Sequence, residues 1–245
     1  MTLSAPTSIA AISLTGASVS YGAGPVLGPL TLEMNEQRIG IVGCNGSGKS
    51  TLVALMAGLM SATEGQVLLE GFDPARERKQ ALRAIGVLFQ NPDRQIIFPT
   101  VDEELAFGLK QLDHNDPAGA VQALLMREGR ADWAGRSVAA LSQGQRQYLC
   151  VMAILAMEPR TILLDEPLSG LDLPTAARLM ARLDRAPQRL ITISHDPKIL
   201  SDYDRVLWID QGLCRADGPP AQVLPAYERT MAQLAMQDAD TDLSA

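Results

Sequence analysis

Residues Gly43 to Ser50 read GCNGSGKS, between a short apolar run, Arg38 to Val42, and a stretch from about Ser50 to Leu59 that reads as a helix. Strand, glycine-rich turn and helix in that order, with the spacing G-x-x-x-x-G-K-[ST], are the setting in which a loop wraps phosphate. The glycines let backbone N–H groups converge on phosphate oxygens, and the helix N-terminus adds positive potential. Lys49 is placed to reach the β- and γ-phosphates of a nucleoside triphosphate, and Ser50 to bind Mg²⁺. The nucleotide contacts expected of this loop are Gly43, Asn45, Gly46, Ser47, Gly48, Lys49, Ser50 and Thr51.

Outward from the loop, apolar strand segments recur at Gly65 to Glu70, Ile85 to Phe89, Thr161 to Asp165, Leu190 to Ser194 and Val206 to Asp210, with helical stretches between them. That alternation predicts a parallel sheet covered on both faces, an α/β fold. The first forty residues instead alternate apolar and polar with Gly and Pro punctuation, which predicts two or three short antiparallel strands. Thr100 to Met157 reads mostly as helix, a block inserted between two strands of the sheet. The final residues, DADTDLSA, are polar and acidic and are expected to be disordered.

Composition narrows the function. No apolar run approaches the roughly 18 residues of a membrane span, and the longest, Tyr148 to Met157, has the length of a buried helix. MTLSAPTSIAAISL has no Lys or Arg ahead of its apolar stretch, so it lacks the charged start of a secretory signal, and the expected address is the cytoplasm. Cys44, Cys150 and Cys214 are odd in number and widely spaced, which suggests reduced thiols rather than disulfides or a zinc site. A net charge of −7 opposes binding nucleic acid or anionic lipid over a broad surface, so any membrane contact should run through protein.

Two further stretches carry chemistry. TILLDEP, Thr161 to Pro167, is a buried strand ending in adjacent carboxylates; Asp165 is the candidate Mg²⁺ ligand and Glu166 the candidate to orient or deprotonate an attacking water. Alone, such a pair more often caps a helix, but a phosphate loop in the same chain reverses that preference. LSQGQ, Leu141 to Gln145, opens a helix running through Tyr148, Met152 and Leu155, with Ser142 as its N-cap and Gly144 allowing close approach to the backbone. One nucleotide has a single γ-phosphate, yet this chain brings two phosphate sites.

With these motifs in order, the sequence resembles the ATP-binding cassette family from Ile12 to about Val223. The resemblance implies a P-loop NTPase fold with a parallel core sheet flanked by helices, an N-terminal antiparallel β subdomain and a helical subdomain inserted at about 100–157. Residues 1–224 would form the cassette and 225–245 a short C-terminal helix with an acidic tail. It implies a head-to-tail homodimer in which each ATP lies between one subunit's phosphate loop and the other's signature, Ser142, Gly144 and Gln145. By resemblance Tyr21, in VSYGAGPVL, stacks on adenine. Gln90 takes the Q-loop position and joins Ser50 and Asp165 around Mg²⁺. Asp172 closes the D-loop, SGLD, and His195, in ITISHD, contacts the γ-phosphate, completing a catalytic set of Glu166, His195 and Gln90. Gln143 departs from the family's LSGGQ, which bears on the backbone at that position.

QNPDRQIIFPTVDEEL, Gln90 to Leu105, is similar to the form in ATPases of energy-coupling-factor transporters, importers of vitamins and transition-metal ions. That resemblance implies a peripheral subunit on the cytoplasmic face of the membrane, docked through Ile96, Ile97 and Phe98 to a transmembrane coupling (T) subunit that is joined to a substrate-binding (S) subunit. Glu103 reads instead as part of a capping box with Thr100. The short C-terminal extension resembles the ATPases of dedicated biotin systems, which puts biotin first as solute, with cobalt or nickel next. The rival is a soluble cassette used in iron–sulfur cluster assembly; a nucleic-acid cassette is disfavoured by the acidic balance.

Overall fold

The computed structural model describes residues 12–22 and 24–242. Its elements are β1 (Ile12–Tyr21), β2 (Gly24–Met34), β3 (Arg38–Val42), α1 (Lys49–Met56), β4 (Glu64–Leu69), α2 (Arg78–Ala84), β5 (Ile85–Leu88), α3 (Val101–Gln111), α4 (Pro117–Arg127), α5 (Gln143–Ala156), β6 (Thr161–Asp165), α6 (Leu173–Asp184), β7 (Arg189–Ile193), β8 (Arg205–Asp210), β9 (Leu213–Gly218) and α7 (Pro220–Asp242). Six strands form one sheet in the order β5-β6-β7-β3-β8-β9, parallel except that β9 runs antiparallel to β8. All of β7 and all but one residue of β3 and of β6 are buried, as strands covered on both faces must be.

β1, β2 and β4 make a separate antiparallel sheet in the order β2-β1-β4. This corrects the expectation that the Gly65 strand belongs with the parallel set. Only Val67 and Leu69 of β4 are buried, so one face is covered and the other meets solvent, the habit of an antiparallel sheet. β9 was not expected at all, because none of its residues is buried and its sequence, LCRADG, has no apolar stripe to read.

α1 starts at Lys49 and ends at Met56, short of Leu59. Gly58 takes φ 67°, and a Cβ there would lie 2.2 Å from the Pro74 carbonyl oxygen, so the chain turns where only glycine fits. The helical block between Thr100 and Met157 consists of α3, α4 and α5 with short 3₁₀ turns. α5 has two apolar faces: Leu149 and Met152 pack with Leu105, Leu125 and Trp133 of the block, while Val151 and Leu155 pack with Leu88 and Leu164 of the sheet. Gly86 of β5 admits this approach, since a Cβ there would stand 2.4 Å from Ile154. α5 thereby ties the block to the sheet edge.

α7 packs Val223, Leu224 and Tyr227 on Val42 and Trp208. It continues to Asp242, so most of DADTDLSA is helical rather than disordered, and its last three residues lie outside the described ones, as does the N-terminal stretch Met1 to Ala11. Among the described residues no helix is long and apolar enough to cross a membrane.

Candidate functional site

The parallel strands deliver their loops to one end of the sheet, where ligands bind in such folds. At the end of β3, Gly43 has φ 154°, and a Cβ there would meet the Ile209 carbonyl oxygen at 2.1 Å, so no other residue can start this loop. Lys49, buried at the start of α1, folds back and donates from Nζ to the carbonyls of Gly43 (2.8 Å) and Cys44 (2.7 Å). Burial pushes its ammonium below the ordinary lysine range, and the Glu166 and Asp165 carboxylates oppose that shift. The Ser47 hydroxyl is buried beneath the loop, outside the lining of the cleft that the loop borders, and without a hydrogen-bond partner among the described residues. Cys44 Sγ turns away from the loop and lies 3.3 Å from Met231 Sδ of α7.

β6 brings its two carboxylates to the same place. The Ser50 hydroxyl donates to Asp165 Oδ2 at 3.1 Å, two hard oxygen ligands converging on one spot. Glu166 adopts φ 50°, held by its N–H donating to the Ile193 carbonyl at 3.2 Å, and this left-handed turn swings its side chain to the side of β7. There His195 Nε2 lies 3.2 Å from Glu166 Oε1, and the His195 N–H donates to Oε2 at 3.4 Å. Burial lifts both carboxyls above their ordinary range; for Asp165 the Ser50 hydrogen bond, and for Glu166 the His195 charge, work against it. Asn45, Gly46, Gly48, Lys49, Ser50, Thr51, Gln90, Asp165, Glu166 and His195 line one cleft of about 250 Å³. Tyr21 is not part of its lining; it is 61% exposed, with its hydroxyl 3.9 Å from Met60 Sδ.

Ser142, Gly144, Gln145 and Asp172 line a different cleft, of about 600 Å³, together with Arg178 and Arg182. Ser142 caps α5 as expected, but Gln145 closes a capping box with it: Ser142 Oγ accepts from the Gln145 N–H (3.3 Å) and Gln145 Oε1 from the Ser142 N–H (2.9 Å). The Asp172 carboxylate likewise caps α6, accepting from the Thr175 N–H at 2.7 Å, and those bonds to Thr175 hold it below the usual range. The Gln145 and Asp172 side chains are thus engaged in helix caps. Gly144 has a packing reason as well, since a Cβ there would stand 2.6 Å from Thr175 Cγ2. Gln143 turns the other way, its Nε2 close over Gly170, beside the Ser169 hydroxyl that accepts from Gln90 Nε2 at 3.3 Å. Ser142, Gly144 and Gln145 share no lining with the phosphate-loop cleft, while Gln143 faces a cavity of about 860 Å³ that Ser50, Gln90 and Asp165 also line.

Residues 27–169, which hold the phosphate loop, the Ser142 segment and Asp165–Glu166, match the family described as ABC transporter. The chain belongs to that family. As an ABC protein it binds and hydrolyses ATP. The biotin transport ATP-binding protein BioM of Rhodobacter capsulatus is 51% identical over 212 residues, covering 86% of this chain and 91% of that protein. The energy-coupling factor transporter ATP-binding protein EcfA of Onion yellows phytoplasma is 37% identical over 216 residues, 85% of this chain and 79% of that one. The solved structure of cbiO1 from Clostridium perfringens, part of the ABC transporter complex cbiONQ, superposes with a TM-score of 0.76 over 96% of this chain and 98% of that chain at 24% identity, which shows a shared fold.

The ABC segment after Gln90 divides the three apolar candidates. Ile97 is 69% exposed, and Phe98 is half-buried with its ring 5.2 Å from that of Phe107. Ile96 is half-buried and packs its covered side against the apolar clusters of the helical block and of the α5–sheet junction. Sequence reading missed what holds this loop. Glu104, buried on α3, accepts the N–H groups of Ile97 and Phe98 at 2.9 Å each. The signal was present in VDEEL, where Glu104 sits one residue before buried Leu105 and three after buried Val101, on the inward face. Thr100 caps α3 by accepting the Glu103 N–H, but the Glu103 carboxylate takes a 2.5 Å hydrogen bond from the Thr100 hydroxyl rather than from its N–H, so the expected capping box is only half made.

Proposed function

We propose that this protein is the ATP-hydrolysing subunit of an energy-coupling-factor importer, acting as a head-to-tail homodimer with two composite ATP sites. The observation that carries the reading is the separation of the phosphate-loop cleft from the Ser142 cleft: each holds half of what a triphosphate needs, and two copies related by a two-fold axis supply two whole sites. The γ-phosphate would lie over Lys49 on one side and against the Ser142–Gly144 backbone at the α5 N-terminus on the other. The adjacent Ser50 hydroxyl and Asp165 carboxylate, with Gln90 in the same cleft, suit Mg²⁺, which when bound would neutralise charge on the β- and γ-phosphates. Glu166 accepts a proton from the attacking water, a role that its raised pKa favours, and His195 beside it orients the water against the γ-phosphate.

The relatives named for biotin transport and for energy-coupling factor support a location on the cytoplasmic face of the membrane, with a transmembrane coupling subunit and a substrate-binding subunit as partners and biotin as the solute. Ile97 and Phe98 offer the apolar contact for the coupling subunit.

Glu166→Gln tests the site. It should bind ATP, shift from monomer to dimer with ATP on size exclusion, and hydrolyse at least about a hundredfold more slowly. Wild-type turnover, or no ATP-dependent dimer, would overturn the reading. Complexes purified from native membranes should contain both membrane subunits and retain labelled biotin; retention of another vitamin or a metal ion would replace the solute.

A further inference from the structure

Gln147 lies on α5 five residues beyond Ser142, with only 2% of its surface exposed, and nothing in the reading above uses it. Its Nε2 donates to two backbone carbonyls, those of Phe89 at 3.4 Å and Pro167 at 3.3 Å. Phe89 directly precedes Gln90, and Pro167 directly follows Glu166. The last rung of the β5–β6 ladder is Leu88 with Leu164, so the amide bridges the two chains just past the point where the sheet stops joining them. Both contacts are carbonyl oxygens, which fixes the amide orientation: Nε2 must face them and Oε1 must face away. Oε1 is buried without a hydrogen-bond partner among the described residues.

Packing does not explain such a residue. The same helix face continues with Cys150, Val151 and Ile154, and a methionine of equal length would fill the space without burying an amide that is only half satisfied. What methionine lacks is the pair of donors. Gln147 is also one helical turn from the capping box that shapes the Ser142 half-site. A single buried side chain therefore touches the backbone beside Gln90 and beside Glu166, and is rigidly joined to the signature.

We propose that Gln147 is a positioning residue for ATP hydrolysis. It sets the separation of Gln90 from Glu166 through the carbonyls next to each, and it carries any shift of α5, caused by the nucleotide at the Ser142 end, into both. The proposal rests on the hydrolytic roles assigned to Gln90 and Glu166.

Gln147→Met and Gln147→Glu test it. In Gln147→Met, kcat should fall about tenfold, the equivalent of one lost hydrogen bond in the transition state, with KM for ATP changed less than about twofold. Its Tm should stay within about 4 °C of wild type. In Gln147→Glu a carboxylate cannot donate, whereas the protonated acid donates one hydrogen bond. Its kcat relative to wild type should therefore rise severalfold as pH falls from about 8.5 to about 6, a recovery that a purely structural role would not produce. A Gln147→Met kcat within about twofold of wild type, or one that falls only in proportion to the folded fraction, overturns the proposal. Should Gln147→Met fail to fold, the Gln147→Glu profile decides, and a pH-independent deficit overturns it. Wild-type turnover by Glu166→Gln would remove the underlying assignment, whatever Gln147 does.

Discussion

Glu104→Ala should separate docking from ATP binding. Glu104 is 8% exposed, and its Oε2 accepts the N–H groups of Ile97 and Phe98 at 2.9 Å each. Alanine removes the single acceptor of both hydrogen bonds and adds none. At about 1–1.5 kcal/mol net for each hydrogen bond, the loop loses about 2–3 kcal/mol, and water returning to the Ile97 backbone brings this toward about 2. That energy is local: the ATP cleft is lined by other residues, and the Glu104 carboxylate accepts its hydrogen bonds from Ile97 and Phe98. If the loop must then be ordered on docking, affinity for the coupling subunit falls by up to about thirtyfold, the equilibrium equivalent of about 2 kcal/mol. Glu104→Gln keeps an oxygen that can accept both N–H groups and should lose no more than about threefold. The assay is titration of the detergent-solubilised coupling subunit alongside titration of ATP. Docking of Glu104→Ala within about twofold of wild type, or an equal loss of ATP affinity, would refute the claim that this carboxylate builds a docking loop.

Three carboxylates give pH and stability predictions. Glu128 receives hydrogen bonds from Tyr148 (2.7 Å) and from Arg182 (2.9–3.1 Å), and its side chain is 6% exposed; burial alone would raise its pKa, but Arg182 and Tyr148 outweigh burial and hold it below the ordinary 4.5. A lowered carboxyl pKa adds stability above the unfolded value and loses it as pH falls through the folded one. Glu128→Gln should therefore cost about 2–3 kcal/mol in urea unfolding at neutral pH, the quarter exposure of Arg182 keeping the loss at the low end for a broken buried pair, and much less at about pH 3. Asp165 and Glu166 carry the opposite sign: with raised pKa values they favour the fold below the unfolded values and cost stability as pH rises through the folded ones. Glu166→Gln should accordingly gain stability relative to wild type between acid and neutral pH, followed as the difference in Tm. As a base Glu166 must be ionised, so the acid limb of kcat/KM, which reports the free enzyme, should have its midpoint above 4.5 and be missing from the residual activity of Glu166→Gln.

The phosphate loop, the Asp165–Glu166 pair and the α5 cap were legible because their signals are local. GCNGSGKS takes its meaning from the strand before it and the helix after it, and the Ser142 cap from the few residues that follow. Short-range backbone geometry decides these, and a sequence carries short-range geometry directly. Burial patterns limited even this: β4 was placed in the wrong sheet because its partner β1 lies far back along the chain, and β9 went unread because it carries no apolar stripe, although it pairs with its immediate neighbour β8. Only the tertiary structure decided that the phosphate loop and Ser142 open into separate clefts, since that depends on how α5 packs between the helical block and β5. It also turned Ile96 partly inward while leaving Ile97 out, a difference between adjacent apolar residues that no composition rule contains. Glu104 and Gln147 are ordinary polar letters until burial makes their hydrogen bonds costly to leave unmade. Burial is a property of the packed whole, which is why the residues that organise the site were the ones the sequence alone concealed.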